Sequence, residues 1–166
     1  MVVDISQVLK GEGAVLEFSE NVNLDAFSFN GNSIKFLKPV SVRGKFENLG
    51  NVIFLSGSAD VSLDAVCAKC LDGFEKNMNF SFEERFSKSP VSDEEAEDIV
   101  HILGNEIELN DVIIRELCLN LPISFLCSED CKGLCPVCGK NLNKEQCSCE
   151  TDEIDPRLAV LKTFLQ

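Results

Sequence analysis

Apolar residues fall on alternate positions along two long stretches of this chain. Val40, Val42 and Phe46 share one parity with Gly44 between them, and Ile53, Leu55, Gly57, Ala59, Val61, Leu63, Ala65 and Cys67 continue on odd positions. A period of two sustained over so many residues predicts strands with one buried face. Gly50-Asn51 offers the turn between them. After Cys67-Ala68-Lys69-Cys70 the chain turns through Asp72-Gly73, and Phe74, Met78, Phe80 and Phe82 again share one parity. The Cys-x-x-Cys pair is therefore expected at the tip of a long antiparallel hairpin.

Other segments follow different rules. Ile5, Val8 and Leu9 have the spacing of a short amphipathic helix over residues 4–10, stopped by Gly11 and Gly13. Residues 87–98 carry almost no apolar side chain and a run of carboxylates, the pattern of a solvated loop. Two short strands are expected around Gly104-Asn105. Asn110 then caps a helix carrying Val112, Ile113, Leu117 and Leu121, which Pro122 ends. Cys118 lies among the apolar residues of that helix and reads as an ordinary buried thiol. Asp155-Pro156 opens a last helix with the apolar stripe Leu158, Leu161 and Leu165. The expected fold class is α+β. An antiparallel β-rich body with a few short helices covers 1–126 and includes the acidic loop 87–98. A cysteine-rich zinc-knuckle segment and its helix, packed on the body, cover 127–166.

Composition narrows what this chain can do. With 45% apolar residues in 166, there is enough to bury a core. No apolar run reaches the roughly 18 residues of a membrane helix. The opening Met1-Val2-Val3-Asp4 lacks the basic and apolar regions of a signal peptide, so the cytoplasm is the expected compartment. The formal net charge is −13 and the pI about 4.4. Nucleic-acid binding draws most of its affinity from lysine and arginine, so direct, extensive binding to RNA or DNA is disfavoured and a basic partner is favoured.

Nine cysteines are too many for ordinary usage, and in a reducing compartment they read as metal ligands before disulfides. Six of them crowd into the 23 residues 127–149, which hold too few other residues for an apolar core. Cys135-Pro136-Val137-Cys138-Gly139 has the form of a zinc knuckle, with a glycine relieving the backbone after the second cysteine. With Cys147 and Cys149 it makes a self-contained four-thiolate site. Cys67, Cys70, Cys127 and Cys131 are left for a second site, which would staple the hairpin tip to the start of the knuckle region. Two zinc ions are the expectation. Occupancy of one site, or iron–sulfur ligation by the same sulfurs, is chemically permitted.

Other chemistry is sparse. A thioredoxin-like dithiol at Cys67 and Cys70 needs a βαβ setting, whereas the flanks read as strands. His101 is the sole histidine and stands in an apolar stretch, where a satisfied structural role outweighs that of ligand or base. Phosphate-binding glycine loops and nucleophile motifs are missing, and acid pairs such as Glu83 and Glu84 read as a solvated face. The expectation is a protein that is not an enzyme. Lys69, Lys132, Lys140, Lys144 and Arg157 lie near the cysteines in sequence, either softening thiolate charge or forming a small RNA-facing patch.

The run Cys127-Ser-Glu-Asp-Cys131-Lys-Gly-Leu-Cys135-Pro-Val-Cys138-Gly-Lys-Asn-Leu-Asn143, then Cys147-Ser-Cys149, then Asp155-Pro156-Arg157-Leu158-Ala159-Val160-Leu161, resembles the C-terminal signature of the bacterial YceD family. Cys67-Ala68-Lys69-Cys70-Leu71 stands where that family has its first Cys-x-x-Cys. The resemblance implies a non-catalytic role in large ribosomal subunit biogenesis, in ribosomal RNA accumulation or processing. It also implies that the C-terminal knuckle is accessory, being degenerate in some relatives. Combined with the charge, it points to action through a basic ribosomal protein or an assembly factor. The alternative is a thiol-based regulator in which oxidation ejects zinc and changes partner binding.

Overall fold

The computed structural model describes residues 1–29, 31–88 and 99–149. The expected acidic loop lies almost wholly outside the described residues, as does the expected helix after Asp155. The chain forms two compact units. One comprises Met1–Ala65 and Phe74–Ile123; the other comprises Val66–Gly73 and the chain from Ser124 onward. This division differs from a single boundary at 126/127, because the hairpin tip groups with the cysteine-rich segment.

The first unit is built on strands. Among the described residues, β1 (Val2–Asp4), β2 (Val15–Val22), β3 (Phe27–Phe29), β4 (Asn32–Phe36), β5 (Val40–Asn48), β6 (Ile53–Val66), β7 (Gly73–Ser87), β8 (Ile99–His101) and β9 (Glu106–Glu108) precede one α-helix, α1 (Asn110–Asn120). The larger sheet runs β2-β5-β6-β4-β3, with β7 on β6 and β8 on β7. β5 and β6 pair antiparallel in the register Val42↔Ala59, Gly44↔Gly57 and Phe46↔Leu55, all on the buried parity. The facing glycines make room: a Cβ on Gly57 would stand 2.4 Å from the Phe82 ring and 2.7 Å from the Arg43 carbonyl. Phe46 packs 5.5 Å from Phe18 and 6.4 Å from Phe86, ring centre to ring centre. With Leu55, Leu63 and Phe82 it forms a fully buried centre.

Several short elements depart from expectation. Residues 4–10 form a single 3₁₀ turn, Val8–Lys10, rather than a helix, because Val2–Asp4 is drawn into a strand paired with β9. Ile5 and Val8 are buried all the same. β8 and β9 flank Gly104-Asn105 as expected, but each pairs elsewhere: β8 runs parallel to β7 and β9 antiparallel to β1. Leu109, not Asn110, is the N-cap residue of α1, and the Asn110 side chain accepts a hydrogen bond from the Met1 nitrogen instead. The helix buries Val112, Ile113 and Leu117 and stops at Leu121, whose extended backbone precedes Pro122. Cys118 is half-buried on it, and burial pushes its thiol up. Among the described residues no helix is long and apolar enough to cross a membrane.

Candidate metal centre

Among the described residues the second unit buries few apolar side chains, and it contains two backbone knuckles of one design. β6 ends at Val66 and β7 begins at Gly73, leaving Cys67 to Asp72 as the tip. There the Cys67 N–H donates to the Asp72 carbonyl at 2.9 Å, and the Leu71 N–H to the Cys67 carbonyl at 2.9 Å. The second knuckle repeats both bonds: Cys135 N–H to the Lys140 carbonyl at 2.8 Å, and Gly139 N–H to the Cys135 carbonyl at 2.9 Å. The residue after the second cysteine must turn left-handed in each. Gly139 does so at φ 72°, and Leu71 does so at φ 59° despite its side chain. An expected strand hairpin thus closes on a knuckle whose glycine position is filled by leucine.

Among the described residues, the eight cysteines singled out from the sequence gather in two groups of four. These are Cys67, Cys70, Cys127 and Cys131, and Cys135, Cys138, Cys147 and Cys149, with the sulfurs of each group within 4.8 Å of one another. In the first group the Cys67 and Cys131 sulfurs are 3.8 Å apart and those of Cys70 and Cys127 3.7 Å. Four sulfurs about 2.3 Å from a tetrahedral centre stand roughly 3.8 Å from each other, whereas a disulfide needs about 2.05 Å. The first group therefore has the dimensions of a metal tetrahedron, and each group could hold a metal ion. Cys67, Cys70, Cys131 and Cys135 are buried, Cys127 and Cys138 exposed, and Cys147 and Cys149 half-buried. A metal held there would be fully coordinated by protein sulfur, with no position left for a substrate.

The environment of the sulfurs separates their acidities. The Cys127 amide, helped by those of Cys70 and Lys69, lowers the Cys67 thiol to about 6, and the Cys138 and Val137 amides lower Cys135 to about 6. Desolvation and the neighbouring sulfurs push Cys127 up to about 12. The Cys138 sulfur and desolvation do the same to Cys149. Four thiols that crowd one point cannot all ionise without a cation to share.

A polar frame that sequence reasoning overlooked surrounds the first group. The Asn143 side-chain amide donates to the Cys131 sulfur at 3.3 Å, and its carbonyl accepts the Lys132 N–H at 2.9 Å. The Asn141 amide donates to one Asp72 oxygen at 2.8 Å, and Lys144 to the other at 2.8 Å. These bonds hold the Asp72 carboxyl below its usual range, Lys144 first and Asn141 after it. Asn141 and Asn143 stood in the signature without a role, and no local pattern could assign one, since Asp72 is some 70 residues away. Of the lysines near the cysteines, Lys144 is engaged with Asp72 and Lys140 lies 3.5 Å from Glu145. Arg157 lies outside the described residues. His101 is exposed on β8, its Nε2 3.1 Å from the Lys88 carbonyl. Glu84 is paired with Arg115.

Comparison with known proteins extends over the whole chain. A protein of Mycobacterium tuberculosis, Rv2926c, is 26% identical over 174 residues, covering 99% of this chain and 81% of its own. YlbN of Bacillus subtilis is 24% identical over 151 residues, covering 90% of this chain and 88% of its own. A chloroplastic Arabidopsis thaliana protein, large ribosomal RNA subunit accumulation protein YCED homolog 1, is 40% identical over 50 residues, 30% of this chain and 16% of its own. No solved structure matches. Residues 55–165, from β6 through both cysteine groups, match the family described as large ribosomal RNA subunit accumulation protein YceD. The chain belongs to the YceD family.

Proposed function

We propose that this protein is a non-catalytic factor in large ribosomal subunit biogenesis, stapled by two zinc ions and acting in the cytoplasm through a basic protein partner. The observation that carries the reading is the family match, which spans both cysteine groups. Closed four-thiolate coordination is the chemistry of structural zinc, which stabilises a fold without activating water. A formal charge of −13, made more negative by thiolate ligation, disfavours gripping ribosomal RNA unaided and suits a lysine- and arginine-rich ribosomal protein or assembly factor. Family membership does not favour the alternative of a thiol-based regulator.

Deletion of the gene, complemented by wild type or by a Cys70→Ser, Cys131→Ser double variant, tests this reading. The expected result is a lowered ratio of large to small subunit ribosomal RNA, restored by wild type and not by the variant. Unchanged large-subunit RNA in the deletion would overturn the role. Recovery of naked ribosomal RNA with the purified protein, and no protein bridging it, would overturn the partner-mediated route.

A further inference from the structure

The segment between Cys138 and Cys147 belongs to the second sulfur group by its ends and to the first by its side chains. Its ends are ligand residues of the group Cys135, Cys138, Cys147 and Cys149. Its middle supplies Asn143, which donates to the Cys131 sulfur at 3.3 Å, and Asn141 and Lys144, which hold the two Asp72 oxygens at 2.8 Å each. Asp72 in turn follows Cys70 by two residues and accepts the Cys67 N–H on its backbone carbonyl. Asn143 is itself positioned, since its backbone and side-chain N–H groups both donate to the Asn141 side-chain oxygen at 3.0 Å.

Backbone bonds tie the same pieces. The Leu134 N–H donates to the Lys69 carbonyl at 3.0 Å, the Leu142 N–H to the Gly133 carbonyl at 2.9 Å, and Leu134 bridges Asn141. Every connection from this segment to the first group thus depends on where residues 141–144 are placed. Without a cation among the second sulfurs, the loop 139–146 is tied at its start by the backbone bonds of Gly139 and Lys140 to Cys135 but has no sulfur–metal bond fixing Cys147 at its far end, and ordering it costs chain entropy. With one, both ends are pinned and the donors to Cys131 and Asp72 are presented already oriented. Donors to ligand atoms typically change metal affinity 10- to 100-fold. Coupling between two sites is reciprocal.

We infer that the two sulfur groups load metal cooperatively, a divalent cation at Cys135, Cys138, Cys147 and Cys149 raising the affinity of Cys67, Cys70, Cys127 and Cys131 through Asn143 and the Asn141–Asp72–Lys144 bonds. This rests on the metal-binding reading of both groups. It makes Asn143 and Asp72 positioning residues and gives the C-terminal group a role beyond local order.

The test uses the full-length chain, stripped and kept reduced, titrated with cobalt and then zinc against a chromophoric chelator, with thiolate-to-cobalt absorption reporting each tetrahedral sulfur site. In wild type, two ions bind. In the Cys138→Ser, Cys149→Ser double variant, one ion binds, at the first group, about tenfold or more weakly than in wild type. Asn143→Ala keeps two ions but weakens the first group by a similar factor with little effect on the second. The combined triple variant is no weaker at the first group than the double variant. Far-ultraviolet circular dichroism of the β-rich unit shows whether each variant is folded, and Asn143→Gln, which keeps an amide, provides a milder second variant. First-group affinity in the double variant within twofold of wild type would overturn the inference, as would effects of the double variant and Asn143→Ala that simply multiply. Failure of both groups to bind any cation would overturn it together with the metal reading, a distinguishable outcome.

Discussion

Two knuckles with the same hydrogen bonds but different residues at the left-handed position allow an internal comparison of three substitutions. Gly139 has φ 72° and nothing within 4 Å of where a Cβ would stand. Gly139→Ala therefore meets only the left-handed cost for an L-residue, about 1–2 kcal/mol, offset by about 0.4–1 kcal/mol from the stiffer unfolded chain. The net is about 1 kcal/mol. Gly133 has φ 74°, and its Cβ would stand 3.1 Å from the Lys69 carbonyl oxygen, which the Leu134 N–H already holds at 3.0 Å. Backbone atoms on both sides cannot withdraw cheaply, so overpacking of about 1–2 kcal/mol is added, for about 2–3 kcal/mol in all.

Leu71→Gly runs the other way. The side chain is 64% exposed, so little packing is lost, and relief of its left-handed backbone exceeds the glycine entropy by about 0.5 kcal/mol. On the proposed metal ligation, folding of this unit is coupled to metal, and the differences appear as metal affinity. They correspond to about fivefold weaker for Gly139→Ala, roughly 30- to 150-fold weaker for Gly133→Ala and about twofold tighter for Leu71→Gly, at about 1.4 kcal/mol per tenfold. Competition with a chelator of known affinity, at fixed pH and under reductant, reads all three. A Gly139→Ala loss equal to that of Gly133→Ala, or weaker binding in Leu71→Gly, would refute the argument.

Three further outcomes follow from other parts of the molecule. Gly57→Ala should cost about 2–3 kcal/mol in urea unfolding, because the new methyl meets the buried Phe82 ring and the Arg43 carbonyl at once; a loss below about 0.5 kcal/mol would contradict the packing. Asn48→Ala should cost about 1–3 kcal/mol in the same assay, since the buried Asn48 amide satisfies the Val8 carbonyl at 2.8 Å and its oxygen accepts the Gly50 N–H. Metal entry at pH 7.5 should release protons into weakly buffered solution: Cys67 and Cys135, near 6, are already ionised, but Cys127 and Cys149, near 12, must give theirs up. Affinity should accordingly rise with pH across neutrality, and a pH-independent affinity would count against thiolate ligation.

How much of this was legible in the chain depends on the range of each interaction. Alternation over 40–46 and 53–67 revealed β5 and β6 directly, since a strand with one buried face writes its period locally. β2, β3 and β4 went unread because β3 and β4 are short and β2 exposes polar residues on both faces, as Glu17 and Glu20 show. The helix expected over residues 4–10 failed for a related reason: its first residue, Asp4, is claimed with Val2 and Val3 by pairing with 106–108, a contact about a hundred positions away that outweighs local propensity.

Cysteine chemistry behaved in the same two ways. The division of eight cysteines into two groups of four could be inferred from spacing, because a thiolate quartet admits few arrangements and Cys118 stands apart from all of them. The engagement of Asn141 and Lys144 with Asp72 arises only when residues 66–73 meet residues 124–149, and the Asn143 donor at Cys131 only when the second of these segments folds back on itself. Hydrogen bonds of that kind leave no periodic trace, since either partner alone is an ordinary surface residue, and three-dimensional proximity gives it a role.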